Sequence, residues 1–364
     1  MKKKITSLFL ALVLAAAMTG CSSSDNNSSP SSQASSGTES SSVSSAVSST
    51  PGVPAEDSSQ PSPESAASGE KIRVAALKGP TAMGLVKLMD DNDHSEAPQY
   101  DFSIYASPDE ITPKLVQGEL DLAAVPANLA SVLYNKTEGK IQVLAVNTLG
   151  VLYIVESGDS VNTVEDLRGR TIFASGKGST PEYALNYMLS QNGIDPEKDV
   201  SIEWRSEHSE CVAALASTEN AVAMLPQPFV TVAQGQVEGL RVALDLSEEW
   251  DKLDNGSRLI TSVLVARKAF ADEHPAAVRT FLSEYAASTD YANANPAEAA
   301  VLVEKYGIVK AAVAEKALPE CNLVCITGTD MKSAVGGYLQ TLYDLKPEAV
   351  GGAMPDDGFY WMDA

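Results

Sequence analysis

Two periods of hydrophobicity alternate along most of this chain. Ile72-Arg73-Val74-Ala75-Ala76-Leu77 is a short apolar run that reads as a buried strand. Gly79-Pro80-Thr81 then opens a helix, because Ala82, Leu85, Val86 and Met89 recur at i, i+3, i+4 and i+7. Residues 102–106 read as the next strand, and Ser107-Pro108-Asp109-Glu110 is a capping box with proline at the first helical position. A strand over 122–125, a helix over 128–134 and a strand over 141–146, running on towards 151–155, complete a first series. A second series has strands over 171–174, 200–204, 221–225 and 241–246, with helices over 181–191, from about Glu207 and from Phe229.

Strands alternating with helices at this spacing predict an α/β fold with mostly parallel sheets, whose strand C-termini line one edge. The strongly apolar run 259–266 has no strand–helix partner downstream and is expected to cross back to the first half. Helices follow over 275–293, after a second capping box at Asn295-Pro296-Ala297-Glu298, and around 331–342. Crossings near 148–153 and 259–263 imply two lobes joined by a two-strand hinge, an arrangement that can close around a ligand. Lobe 1 is expected to comprise 71–150 plus 262–364, and lobe 2 to comprise 151–261.

The two series echo each other. Lys78-Gly79-Pro80-Thr81 returns as Lys177-Gly178-Ser179-Thr180, and Val125-Pro126-Ala127-Asn128 as Leu225-Pro226-Gln227-Pro228. Each echo follows an equivalent strand and opens an equivalent helix. In open α/β sheets the ligand crevice lies beyond the strand C-termini, where helix N-termini present unsatisfied N–H groups and partial positive charge. Gly79 and Gly178 permit close backbone approach. Thr81 and Thr180 offer hydroxyls to a ligand, or serve as plain helix caps. Lys78 and Lys177 add positive charge, although a solvated lysine is the commoner outcome. Trp204, Trp250 and Tyr105 are candidate stacking surfaces for a heteroaromatic ring, with Trp204 and Tyr105 reading more readily as strand core.

The N-terminus carries different signals. Lys2, Lys3 and Lys4 precede an apolar stretch over 5–18, too short to span a bilayer, and then Met18-Thr19-Gly20-Cys21. This reads as a signal peptide over 1–20. The stretch 22–70 is Ser-rich, without aromatics, and cannot bury enough apolar surface to offset its ordering entropy; with Cys21 it reads as a disordered tether.

Charge and rare residues narrow the chemistry. A formal net charge of -22 disfavours nucleic acid, since neutralising phosphates needs clustered Lys and Arg. It does not forbid a small anion, which senses only its local site. His94, His208 and His274 are widely separated, so neither a metal site nor a cofactor is expected. Cys211, Cys321 and Cys325 read as buried or half-buried free thiols; Cys321 and Cys325 sit one turn apart if helical, which suits a disulfide poorly. His208, in a Ser206-Glu207-His208-Ser209 loop, reads as a solvated or capping residue rather than a general base.

The segments KGPTAMGLVKLM, QGELDLAAVPANLASVLYNK, IQVLAVNTLGVLYIV, TVEDLRGRTIFASGKGSTPEYALNYML and AVAMLPQPFV, behind a Cys-containing cleavage site, resemble solute-binding lipoproteins of ABC importers. The nearest group is the nitrate, sulfonate and taurine binding proteins, with their thiamine-pyrimidine-precursor relatives. The resemblance covers about 71–364 and the signal. It implies the two-lobed type II periplasmic binding fold with two hinge strands, lipidation at Cys21 and attachment to the outer face of the cell membrane. It also implies a small polar or anionic solute and a permease partner, in a monomer. Carried over by position, the ligand contacts would be Lys78, Gly79, Pro80, Thr81, Ala82, Pro126, Ala127, Asn128, Thr148, Leu149, Gly178, Ser179, Thr180, Pro181 and Gln227. The first cleft loops lack the arginine of a strong sulfonate clamp, so the solute stays open. The alternatives are a secreted enzyme on the same fold, which would need acids, bases or nucleophiles converging at the crevice, and a non-transport receptor or adhesin.

Overall fold

Two sheets form the body: one continuous run of the chain builds the second, and strands that return from it complete the first. The structure, a computed structural model, describes residues 71–362; the signal segment, Cys21 and the Ser-rich stretch lie outside them. β1 (Ile72–Leu77) leads through α1 (Pro80–Met83) and α2 (Val86–His94) to β2 (Tyr100–Tyr105), α3 (Pro108–Gln117), β3 (Leu122–Pro126), α4 (Ala127–Lys136) and β4 (Ile141–Leu149). The chain crosses to β5 (Leu152–Glu156), β6 (Thr171–Ser175), α5 (Thr180–Gln191), β7 (Ser201–Arg205), α6 (His208–Ser217), β8 (Val222–Pro226), α7 (Phe229–Gln236), β9 (Arg241–Asp245) and α8 (Leu246–Asp251). It returns through β10 (Ile260–Arg267) to α9 (Lys268–Glu273), α10 (Pro275–Ala294), α11 (Pro296–Lys305), α12 (Ala311–Ala317), β11 (Leu323–Ile326) and α13 (Gly328–Leu345).

The first sheet runs β11-β4-β10-β3-β1-β2 and the second β7-β6-β8-β5-β9. Read from β2 and from β7, five strands of each have the same layout. Three parallel strands come first, then one strand antiparallel to both its neighbours, β10 in one sheet and β5 in the other. The expectation of mostly parallel sheets is therefore corrected. A strand that has just crossed from the other sheet enters at the edge where the parallel strands end, so it must run against them. The single long crossing run at 259–266 is β10, as its apolar pattern required.

One buried cluster is continuous across both sheets. It takes Ala75, Val125 and Val146 from the first, and Ile154, Ile172 and Met224 from the second. Trp250 belongs to it rather than to a ligand surface: it is fully buried, its ring lies 4.7 Å from Tyr187 and 5.8 Å from Tyr338, and Nε1 donates to Ser257 Oγ at 3.0 Å. Tyr105 and Trp204 are half-buried and pack on the same cluster from the two outer strands β2 and β7. The capping box read at Asn295 does not form. Asn295 is the residue before α11, but its Nδ2 turns back to donate to Tyr291 O at 3.0 Å, closing α10 instead. Cys211, Cys321 and Cys325 are free thiols; Cys321 precedes β11 and Cys325 lies in it, so no helical turn joins them.

Strong fixed charge is held at the far edges of both sheets, where the parallel strands begin. Asp121, just before β3, takes Nε and NH2 of Arg73 at 2.9 and 2.7 Å and NH2 of Arg267 at 2.7 Å. Glu156, at the end of β5, takes NH2 of Arg170 at 3.2 Å and of Arg241 at 2.8 Å, and is also bonded by Ser160 and Val161. Burial alone would raise both carboxyl pKa values, but these hydrogen bonds outweigh it and leave both lowered. Their stabilisation is thus present above the ordinary carboxylate range, near pH 4, and is lost as pH falls through it. Asp121→Ala leaves two guanidinium groups without their shared counter-ion and should cost about 3–5 kcal/mol in urea denaturation at pH 7. Asp121→Asn should lose less stability than wild type between about pH 5 and pH 2.

Candidate functional site

Six helices follow parallel strands, and they divide into two kinds at their first turn. The two that follow outer strands are closed by side chains. At α3, Ser107 Oγ accepts from Asp109 N, and Glu110 Oε1 accepts from Ala106 N and Ser107 N at 3.2 and 3.1 Å. At α6, Glu210 Oε2 accepts from Ser206 N and Glu207 N at 2.9 and 3.4 Å, in a second capping box. The four that follow inner strands begin at Gly79, Pro126, Ser179 and Pro228, and none of these residues bonds the first turn through its side chain. Thr81 and Thr180 are therefore not the caps. Ser179, which has the right chemistry, donates to Gly176 O at 2.9 Å instead. At α7 Gln227 Oε1 accepts from Thr231 N at 3.4 Å, while α1, α4 and α5 keep first-turn N–H groups for another acceptor, and the helix dipole favours an electron-rich one.

The predicted residues gather at this edge. Pro126 and Thr148 both pair with Ser262 of β10, so the ends of β3 and β4 lie side by side. Pro226 pairs with Leu152, and Gln227 N donates to Val151 O at 3.1 Å, giving the second sheet the matching arrangement. Thr81, Asn128, Thr148, Thr180 and Gln227 are all buried. Gly79, Pro80, Ala82 and Ala127 are buried beside them; Pro126, Leu149, Ser179 and Pro181 are half-buried. Lys78, Lys177 and Gly178 are exposed. Gly79 at φ 125° and Gly178 at φ 81° make the turns out of β1 and β6 in a region other residues avoid.

Two of these residues meet across the sheets. Thr180 Oγ1, opening α5 of the second sheet, lies 3.4 Å from Asn128 Oδ1, opening α4 of the first. Asn128 Nδ2 donates to Ala349 O at 3.1 Å, which fixes its amide orientation. Gln227 Oε1 accepts from Thr231 Oγ1 at 3.0 Å, so its Nε2 is the end it can offer a ligand. Gly178 N is occupied by Glu182 Oε2 at 2.5 Å, a carboxylate of the chain's own at the mouth of α5. Under α1, Asn147 is buried; its Nδ2 reaches Thr81 O at 3.3 Å and its Oδ1 accepts from Ser262 Oγ at 2.8 Å.

Sequence reading missed three contributors. Asn147 and Ser262 lie inside strands read only for their apolar pattern. Tyr338, in α13, is fully buried with its hydroxyl beside Thr180, yet makes no well-directed hydrogen bond. Burial raises its pKa, so it is a neutral donor and acceptor. Thr148 Oγ1 is likewise buried without a partner among the described residues. A buried hydroxyl left unmatched costs about 1–3 kcal/mol, which a bound polar group would recover. A signal was available for the outer pair: Glu110 and Glu210 stand one hundred positions apart, near the spacing of the other echoes.

The edge as a whole offers hydroxyls, amides and helix N–H groups, the kind of array that can hydrogen-bond a small polar group. A surface groove lies elsewhere, at the opposite end of the first sheet, between Leu115–Gly118 and Thr137–Ile141 and beside Arg267. No helix among the described residues is long and apolar enough to cross a membrane.

Comparison with known proteins agrees with this geometry. A family model described as "ABC transporter, phosphonate, periplasmic substrate-binding protein" matches residues 97–318. A binding protein of Brucella abortus strain 2308 is 24% identical over 219 residues, which cover 58% of this chain and 65% of that protein; the chain thus spans just under two thirds of the curated relatives it matches. An ABC transporter structure from Parabacteroides distasonis superposes with a TM-score of 0.67 at 24% identity, covering 80% of this chain and 98% of that one. The periplasmic aliphatic sulphonate binding protein SsuA of Escherichia coli superposes with a TM-score of 0.64 at 18% identity, covering 78% and 96%. At such identities the superpositions speak for the fold. The family model covers more than half of the sequence, and the chain belongs to the ABC transporter phosphonate periplasmic substrate-binding protein family.

Proposed function

We propose that this chain captures a small polar or anionic solute between its two sheets and delivers it to the permease of an ABC importer. The observation that carries the reading is the split among helix openings. Carboxylates close the outer ones, while no residue preceding the inner four bonds the first turn through its side chain, and two of those inner openings meet at Asn128 and Thr180. The lobes would be 71–150 plus 262–364, and 151–261, hinged at the two crossings. A solute touching both halves binds the closed form better and so shifts the population towards it. Affinity near micromolar corresponds to about -8 kcal/mol, within reach of a few such contacts.

Four arginines are committed to Asp121 and Glu156 at the far edges, and Arg205 at the end of β7 is paired with Glu203, so recognition would rest chiefly on neutral donors. We assign no catalysis to the site, because hydroxyls and amides orient a ligand without moving protons at neutral pH. Sulfonates, including taurine, nitrate, phosphonates and thiamine-type pyrimidines are the classes to test. Cys21 would carry the lipid that holds a monomer on the outer face of the cell membrane, with 22–70 as its tether.

A thermal-shift screen of the full chain against methanesulfonate, taurine, nitrate, methylphosphonate and an aminopyrimidine should give a saturable rise in melting temperature with at least one class. Thr180→Ala should then weaken that ligand about tenfold or more without changing the far-ultraviolet dichroism; Thr81→Ala with Thr180→Ala should weaken it further. A ligand bound equally well by the double variant would place the site elsewhere. Turnover of any of these compounds would favour the enzyme alternative.

A further inference from the structure

His208 stands behind the inner helix openings of the second sheet, and it touches two of them. It is the first residue of α6 and is half-buried, not a solvated loop residue. On one side its Nδ1 is hydrogen-bonded to Ser175 Oγ. Ser175 is the buried last residue of β6, directly before the turn at 176–179 that delivers Thr180. On the other side its ring packs against Phe229, with centroids 4.9 Å apart. Phe229 opens α7, two positions after Gln227. One imidazole thus joins the strand end that feeds α5 to the residue that starts α7.

The charges around it are already committed. β6, β8 and α7, which pack on α6, contain no ionisable side chain. On β7, Arg205 donates to Glu203 at 2.6 Å. Glu207 and Glu210 are held in the α6 capping box, and Cys211 is a buried neutral thiol whose pKa burial raises to about 11. No carboxylate is left to stabilise an imidazolium. Burial lowers the His208 pKa to about 4, so the ring is neutral at pH 7.

We propose that His208 is a positioning residue that holds the turn at 176–180 and the turn at 227–229 together as one half of the ligand site. Its bearing on ligand binding rests on the transport reading; its mechanical role does not. The two contacts are chemically separable. Asn at 208 keeps a donor near the Nδ1 position but lacks the ring, while Leu keeps apolar bulk but no hydrogen bond.

The test is hydrogen exchange at pH 7 on the full chain, read peptide by peptide. His208→Leu should speed exchange at 175–183 about tenfold, with little change at 156–161 or in 72–149. His208→Asn should restore protection at 175–183 yet leave 227–232 faster than wild type. Ser175→Ala, which keeps the ring and removes the hydroxyl from His208 and from the Cys211 thiol, should loosen 175–183 and leave 227–232 unchanged, and it decides the matter if His208→Leu does not fold. Unchanged exchange at both turns, or uniform loosening of the second sheet, would overturn the proposal. Methanesulfonate and nitrate binding by wild type and His208→Leu forms a second arm, with about tenfold weaker binding expected in the variant. If wild type binds neither, that result counts against these ligands, and exchange alone decides the role of His208.

Discussion

The return of the chain from the second sheet into the first is the constraint on which the rest of this molecule depends. β5 and β10 each sit antiparallel between two strands of their sheet. β5 opens the continuous run β5–β9 that makes the second sheet, whereas β10 joins β3 and β4 from far along the chain, so the first sheet cannot be completed until the chain has built the second and returned. The crossing also fixes orientation. It brings the edges where the inner parallel strands end towards each other, and it leaves the edges where they begin on the outside. Buried ion clusters at Asp121 and Glu156 occupy those outer edges, where two guanidinium groups share each carboxylate. The buried groups at the inner edges are neutral hydrogen-bonding ones, with Lys78 and Lys177 exposed beside them.

Function then follows from what is not capped. A helix N-terminus closed by a carboxylate, as at Glu110 and Glu210, has spent its electrostatic attraction within the chain. A helix that begins at Gly79 or Pro126 without a side-chain bond has not, whereas α5 has Glu182 on Gly178 N and α7 has Gln227 on Thr231 N. The openings of α4 and α5 meet where Thr180 approaches Asn128. The Thr180–Asn128 contact and the unmatched hydroxyls of Thr148 and Tyr338 lie among these elements. A solute with several acceptor atoms would satisfy groups the protein leaves unsatisfied, and that difference is what ligand-driven closure requires.

Legibility in the sequence differed sharply between neighbouring features. The Ser107 capping box was readable because all its bonds lie within four residues of each other. Its counterpart at α6 was not, because Glu207 is an unusual cap residue, and only the hundred-residue echo betrays it. Asn295 displayed the pattern of a box but used its side chain on the helix behind it. β11 escaped notice because four residues carry little periodicity, and its strand character comes from pairing with β4. His208 looked like a loop residue until the packing of α6 on β6 and α7 buried much of its ring.

Local order, then, was written in the sequence by itself: the alternation of strands and helices, the doubled series, the points of crossing, and the positions at which inner helices begin. Each depends on hydrogen bonds and apolar periodicity within one or two turns, so a short window of residues contains it. The tertiary structure alone decided which strand completes which sheet, and that Thr180 faces Asn128. It alone packed Trp250 on Tyr338 and Tyr338 beside Thr180, and drew four arginines to Asp121 and Glu156. These are relations between residues tens to hundreds of positions apart, and their energy exists only once the chain has closed the loops between them.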